Sequence, residues 1–211
     1  MNNETVVFVH GLWMNGMDMS LLEYRFKNCG YSTSRFRYKS ISNTPINNAK
    51  RLADHIDLIT SDQIHFVCHS LGGLIFRHYL HLHPLNKAGK IIMLGTPNQA
   101  SIAAKTLSHW PGGTKLLGKS IKEGLLGPLP CWTGKQELGV IAGDLRLGLG
   151  LIIPNIPRPN DGTVSVEETR LEGMQDHITL HVSHFGLLFS KEAFIQTRHF
   201  IEHAHFIRTQ R

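Results

Sequence analysis

Short apolar runs and longer amphipathic stretches alternate along the chain. Val6–Val9 is a brief continuous apolar run, the pattern of a strand buried on both faces. Ser20–Lys27 reads as a helix stopped by Gly30. Ser34–Tyr38 alternates and reads as a strand nearer an edge. Thr44-Pro45 opens a helix, with threonine as N-cap and proline at the first helical position. Leu52, Ile56 and Ile59 then share one face of it. Ile64–Cys68 is the next strand, and Leu71–Leu82 the next helix. Ile91–Leu94, Val140–Ala142 and Ile178–Val182 supply three more strands. A final helix is expected from about Ser190 to Phe206, with Ala193, Thr197, Phe200, Ile201 and Ala204 inward.

Strand–helix alternation of this kind builds a mostly parallel sheet covered by helices on both faces. Ligands in such sheets bind beyond the carboxyl ends of the strands. Chemistry is therefore sought just after Val9, Cys68, Leu94, Ala142 and Val182. The segment from about 99 to 139 breaks the rhythm, with clustered glycines, Gly127-Pro128-Leu129-Pro130, several leucines, Trp110 and Trp132. So long an excursion between two strands predicts a cap or lid.

Composition narrows the class. At 211 residues and 41% hydrophobic, the chain makes one domain, 1–211, with its own core. Three widely spaced cysteines, Cys29, Cys68 and Cys131, exclude a disulfide-stapled scaffold. Twenty-two basic residues against sixteen acidic ones give a net charge of +6. They are scattered, so no nucleic-acid partner is expected, while contact with a membrane surface stays open. Met1-Asn2-Asn3-Glu4 lacks the basic start of a signal peptide, and a cytoplasmic protein is expected.

The strongest chemical signal is Cys68-His69-Ser70-Leu71-Gly72-Gly73, where a strand ends and a helix begins. A serine on that sharp turn projects its hydroxyl out of the sheet as a nucleophile. The crowded turn needs small residues two before and two after; Cys68 and Gly72 meet this, with cysteine where glycine is usual. A serine nucleophile needs a base, and the base an orienting acid. Among fourteen histidines, His184 follows the last strand at the carboxyl edge. For the acid, Asp161 in Asn160-Asp161-Gly162-Thr163 is preferred to Asp144. Oxyanion donors are expected from the backbone N–H of Leu71 and of Leu12, with His10 shaping the loop. His81, His83, His199 and His203 have ligand-like spacing but read as solvated helix faces, so no metal and no cofactor are expected. No nucleotide-binding glycine motif occurs.

With Val9-His10-Gly11-Leu12, the serine motif, Leu94-Gly95-Thr96-Pro97-Asn98, Asn160-Asp161-Gly162-Thr163-Val164-Ser165 and His184 in this order, the chain resembles the α/β-hydrolases, and among them the bacterial lipase and esterase group. The resemblance implies a three-layer α/β-hydrolase fold with a short cap, a Ser70–Asp161–His184 triad and oxyanion amides at Leu12 and Leu71. Secreted relatives often place a calcium-binding aspartate soon after the histidine. Here Phe185-Gly186-Leu187-Leu188 follows, which implies no calcium. The expected reaction is hydrolysis of a small-molecule or lipid-like carboxylic ester with an apolar acyl chain, helped by the apolar cap and Leu147–Ile153. The same triad would serve a thioesterase or acyltransferase. A non-catalytic basic binding module on the same scaffold is the alternative from another class.

Overall fold

The structure, a computed structural model, describes residues 3–83, 89–132 and 134–208. The first two residues of the N-terminal stretch, and residue 133 inside the expected cap, lie outside these. Six strands form one sheet: β1 (Glu4–Val9), β2 (Ser32–Phe36), β3 (Gln63–His69), β4 (Ile91–Leu94), β5 (Leu138–Gly143) and β6 (Asp176–Leu180). Their order is β2-β1-β3-β4-β5-β6, and every neighbouring pair is parallel. The chain reverses its direction of build between β1 and β3, since β2 lies to one side of β1 and β3 to the other. That switch point is where an open parallel sheet leaves a crevice at its carboxyl edge.

The sheet is buried on both faces, which is why its inner strands are continuous apolar runs. Alternate residues serve opposite cores. Val7, Val9, Phe66, Cys68, Ile91 and Met93 face one side. There they meet α2 (Pro45–Asp57) and α3 (Leu71–Leu82). Val6, Phe8, Val67, Ile92 and Leu94 face the other. There they meet α1 (Ser20–Asn28), α6 (Gly186–Phe189) and α7 (Lys191–His203).

Local signals explain most boundaries. Thr44 Oγ1 accepts the Asn47 N–H at 3.2 Å and Pro45 starts α2, as its sequence predicts. Ser190 Oγ caps α7 through the Ala193 N–H at 3.1 Å. Four expectations shift. β2 begins two residues before the expected Ser34 and ends at Phe36, so Tyr38 lies beyond it. Ile59 lies beyond the end of α2. β6 begins two residues earlier and ends before His181 and Val182. α7 stops at His203, because Ala204 turns left-handed (φ 62°) and sends Phe206 back under Phe200, with ring centroids 4.9 Å apart.

The β4–β5 segment holds two short helices, α4 (Ile102–Ser108) and α5 (Gly113–Leu117), followed by tight turns. Leu138 and Gly139, expected at its end, belong to β5. Buried Arg77 of α3 fastens the segment by donating to the carbonyls of Pro130 and Asn98. No helix among the described residues is long and apolar enough to cross a membrane.

Candidate active site

Ser70 stands between β3 and α3 with φ 53° and ψ −123°. This left-handed turn is strained for any residue with a side chain. The surroundings hold it there. The Ser70 N–H donates to the Leu94 carbonyl at 2.9 Å, and the Ser70 carbonyl accepts from Gly73 N–H and Thr96 Oγ1. Gly72 is required because a Cβ there would collide with the Val9 carbonyl. Cys68, the departure from the usual glycine, is packed in the core, and burial pushes its thiol pKa well up.

His184 lies in the loop after β6. Its Nδ1–H donates to Asp161 Oδ2 at 2.7 Å, and its backbone N–H donates to the Asp161 carbonyl at 2.9 Å. Asp161 is fully buried. Its other carboxylate oxygen accepts the N–H groups of Thr163 and Val164 at 2.9 and 2.7 Å. A buried carboxylate needs such charge-assisted bonds to offset its lost hydration. Gly95 leaves room for the pair, since a Cβ there would sit 3.0 Å from His184 Nδ1 and 3.1 Å from Asp161 Oδ2. With Nδ1 protonated, the neutral ring carries its lone pair on Nε2.

The competing Asp144 has a partner too. It meets His181 Nδ1 at 2.8 Å, but that histidine side chain is 78% exposed. Two Asp–His pairs thus stand near the same sheet edge, and only the buried one shares a pocket with Ser70.

Ser70 and His184 both line that pocket, which opens to solvent. Leu12 enters from the loop after β1, while Ala103, Leu107, Leu117 and Leu125 enter from the β4–β5 segment. Leu71 is the first residue of α3, where a backbone N–H has no partner within the helix. Of the described side chains in the expected Leu147–Ile153 wall, Ile153 lines this pocket, while Leu147, Leu151 and Ile152 are exposed. Trp110, Leu126 and Trp132 lie outside the pocket as well, Trp132 with its ring 6.4 Å from that of Phe76.

His10 shapes the loop after β1. Its ring stacks on Tyr38 at 4.0 Å, and the Tyr38 hydroxyl donates to the His10 carbonyl at 2.6 Å. Burial lowers the pKa of the ring. Two features escaped the sequence reading. Trp13 (φ 60°) ties this loop to α5 through its indole N–H and the Leu116 carbonyl at 3.0 Å. His69, buried beside His184, is the other; its place just before Ser70 in the serine turn was the available signal. His199 and His203 stack on the surface 4.2 Å apart. Among the described residues no group of three or more potential ligands is placed to hold a metal.

Residues 2–93 match the family model described as "Putative serine esterase (DUF676)". No curated protein matches the sequence. Solved structures match closely in shape. The mature lipase of Bacillus licheniformis gives a TM-score of 0.68 at 18% identity, covering 96% of this chain and 92% of that one. A metagenomic carboxyl esterase gives 0.67 at 16% identity, covering 87% and 65%. A lipase-esterase related protein from Clostridium acetobutylicum ATCC 824 gives 0.66 at 15% identity, covering 95% of both chains. The chain shares the α/β-hydrolase fold of these lipase and esterase structures.

Proposed function

We propose that this α/β-hydrolase is a serine hydrolase that cleaves carboxylic esters with an apolar acyl chain. The observation that carries the reading is the strained Ser70 turn sharing one pocket with a histidine that is hydrogen-bonded to a fully buried aspartate. In this reading Ser70 Oγ attacks the ester carbonyl while His184 Nε2 takes its proton. Asp161 keeps the imidazole in the required tautomer and stabilises the imidazolium. The backbone N–H groups of Leu12 and Leu71 receive the oxyanion. Collapse of the tetrahedral intermediate expels the alcohol, which takes the proton from His184. Water, deprotonated by the same nitrogen, then releases the acid.

The β4–β5 segment acts as a cap in this reading. Ala103, Leu107, Leu117 and Leu125 offer the acyl chain an apolar wall and no charge. The deciding experiment is reaction of the full chain with a fluorophosphonate probe, followed by p-nitrophenyl esters from acetate to decanoate. Modification at Ser70 and a rise in kcat/KM with chain length are expected. Modification elsewhere, or none, would overturn the assignment; a flat chain-length profile would remove the acyl preference.

A further inference from the structure

His69 takes no part in the proton transfers above, yet it touches the residue that does. It ends β3 and is fully buried. Its Nε2 lies 3.1 Å from the His184 carbonyl oxygen, and the two rings are 4.7 Å apart at 48°. A carbonyl only accepts, so the proton of His69 sits on Nε2 and Nδ1 is left bare. That Nδ1 is buried with no hydrogen-bond partner. Burial, and then the nearness of His184, hold the His69 pKa well below its usual value, so the ring is neutral.

Filling space does not explain this residue. A leucine or phenylalanine would occupy the core without stranding a buried acceptor. What histidine adds is the Nε2–H on the His184 carbonyl. The backbone of His184 is then held at both ends, its N–H by Asp161 and its carbonyl by His69. One of these holds comes from the residue covalently joined to Ser70.

We infer that His69 is a positioning residue, a neutral strut that fixes the separation of Ser70 and His184. The inference rests on the assignment of those two residues as nucleophile and base. A hydroxyl and a base held in place react far faster than the same groups misplaced by about 1 Å, a difference of up to roughly 100-fold.

His69→Phe keeps a ring and removes the donor; His69→Gln retains an N–H donor of similar reach. Both would be compared with wild type and Ser70→Ala for kcat and KM on a short ester, fluorophosphonate inactivation rate and Tm. His69→Phe should lower kcat and the inactivation rate about 10- to 100-fold, with KM within about twofold. His69→Gln should recover most of the loss. A His69→Phe enzyme within threefold of wild type, or a His69→Gln enzyme no better than it, would overturn the strut. If His69→Phe does not fold, His69→Gln decides alone: near-normal kcat supports the strut, and a loss beyond tenfold overturns it. Activity surviving in Ser70→Ala would instead sink the Ser70 assignment itself.

Discussion

Ser70 combines a reactive position with an unfavourable backbone, and the two properties separate by mutation. Ser70→Ala should lower esterase turnover by on the order of 10⁴–10⁶-fold while leaving the protein folded. Retention of a tenth of wild-type turnover would remove Ser70 from the mechanism. Ser70→Gly should be equally inactive yet more heat-stable, because glycine adopts φ near 53° without the strain of a side chain. Relief of roughly 1 kcal/mol would raise Tm by about 2–4 °C in a chain of this size, measurable by differential scanning calorimetry. Asp161→Asn should cost about 10⁴-fold in kcat through the wrong histidine tautomer, and Asp144→Asn under tenfold. The opposite ranking in purified variants would transfer the acid's role to Asp144. The turn at Ser70 was legible in sequence because it is local and crowds its own neighbours. Asp161 was less so, since Asp144 also follows a strand and also finds a histidine. What separates the two pairs is burial, which depends on the packed molecule. His69 escaped because its role needs the His184 carbonyl, 115 residues away.

The central strands were plain in the sequence because double burial leaves an unbroken apolar run. β6 was misplaced by two residues for the opposite reason. As an edge strand it exposes Thr179, and apolar character continues past its end to Val182. The β4–β5 segment was legible as an excursion but not in detail. Its short helices carry too few turns for a periodicity to show which leucine faces the pocket. Leu125 is 4% exposed and lines the pocket, whereas Leu126 packs against the other side of the segment. The two positions therefore test the cap separately. Leu125→Ala should selectively weaken long-chain esters, by up to about 2.4 kcal/mol if three methylene contacts at ~0.8 kcal/mol each are lost. Leu126→Ala should lower all chain lengths alike or none. Equal kcat/KM losses from acetate to decanoate in Leu125→Ala would leave this segment a purely structural role.

At the scale of the whole chain, acid should loosen the fold before it protonates the carboxylates. Burial, with Lys90 adding to it, pushes the His65 pKa down to about 4. Burial, with Arg170 adding to it, does the same for His177. Unfolded, each would titrate near 6.5. The unfolded chain therefore takes up these protons first as the pH falls, and stability drops between about pH 6.5 and 4. Below that window both states are protonated and these two groups contribute no further slope. Urea midpoints measured from pH 7.5 to 4 should show this decline, flattened in a His65→Gln/His177→Gln double variant. An unchanged slope in that variant would assign acid sensitivity to other groups.

The division of labour along the chain also sets an order in time. The first 94 residues contain four adjacent strands, β2-β1-β3-β4, together with Ser70, while Asp161 and His184 arrive with the last third. A refolding or newly synthesised chain can therefore collapse around Ser70 before Asp161 and His184 join it. Secondary structure should return ahead of ester turnover after dilution from denaturant, leaving a shaped but silent intermediate in between. Long-range strand pairing makes such late steps slow. Turnover that recovers in step with far-UV ellipticity would mean that the two halves of the sheet close together.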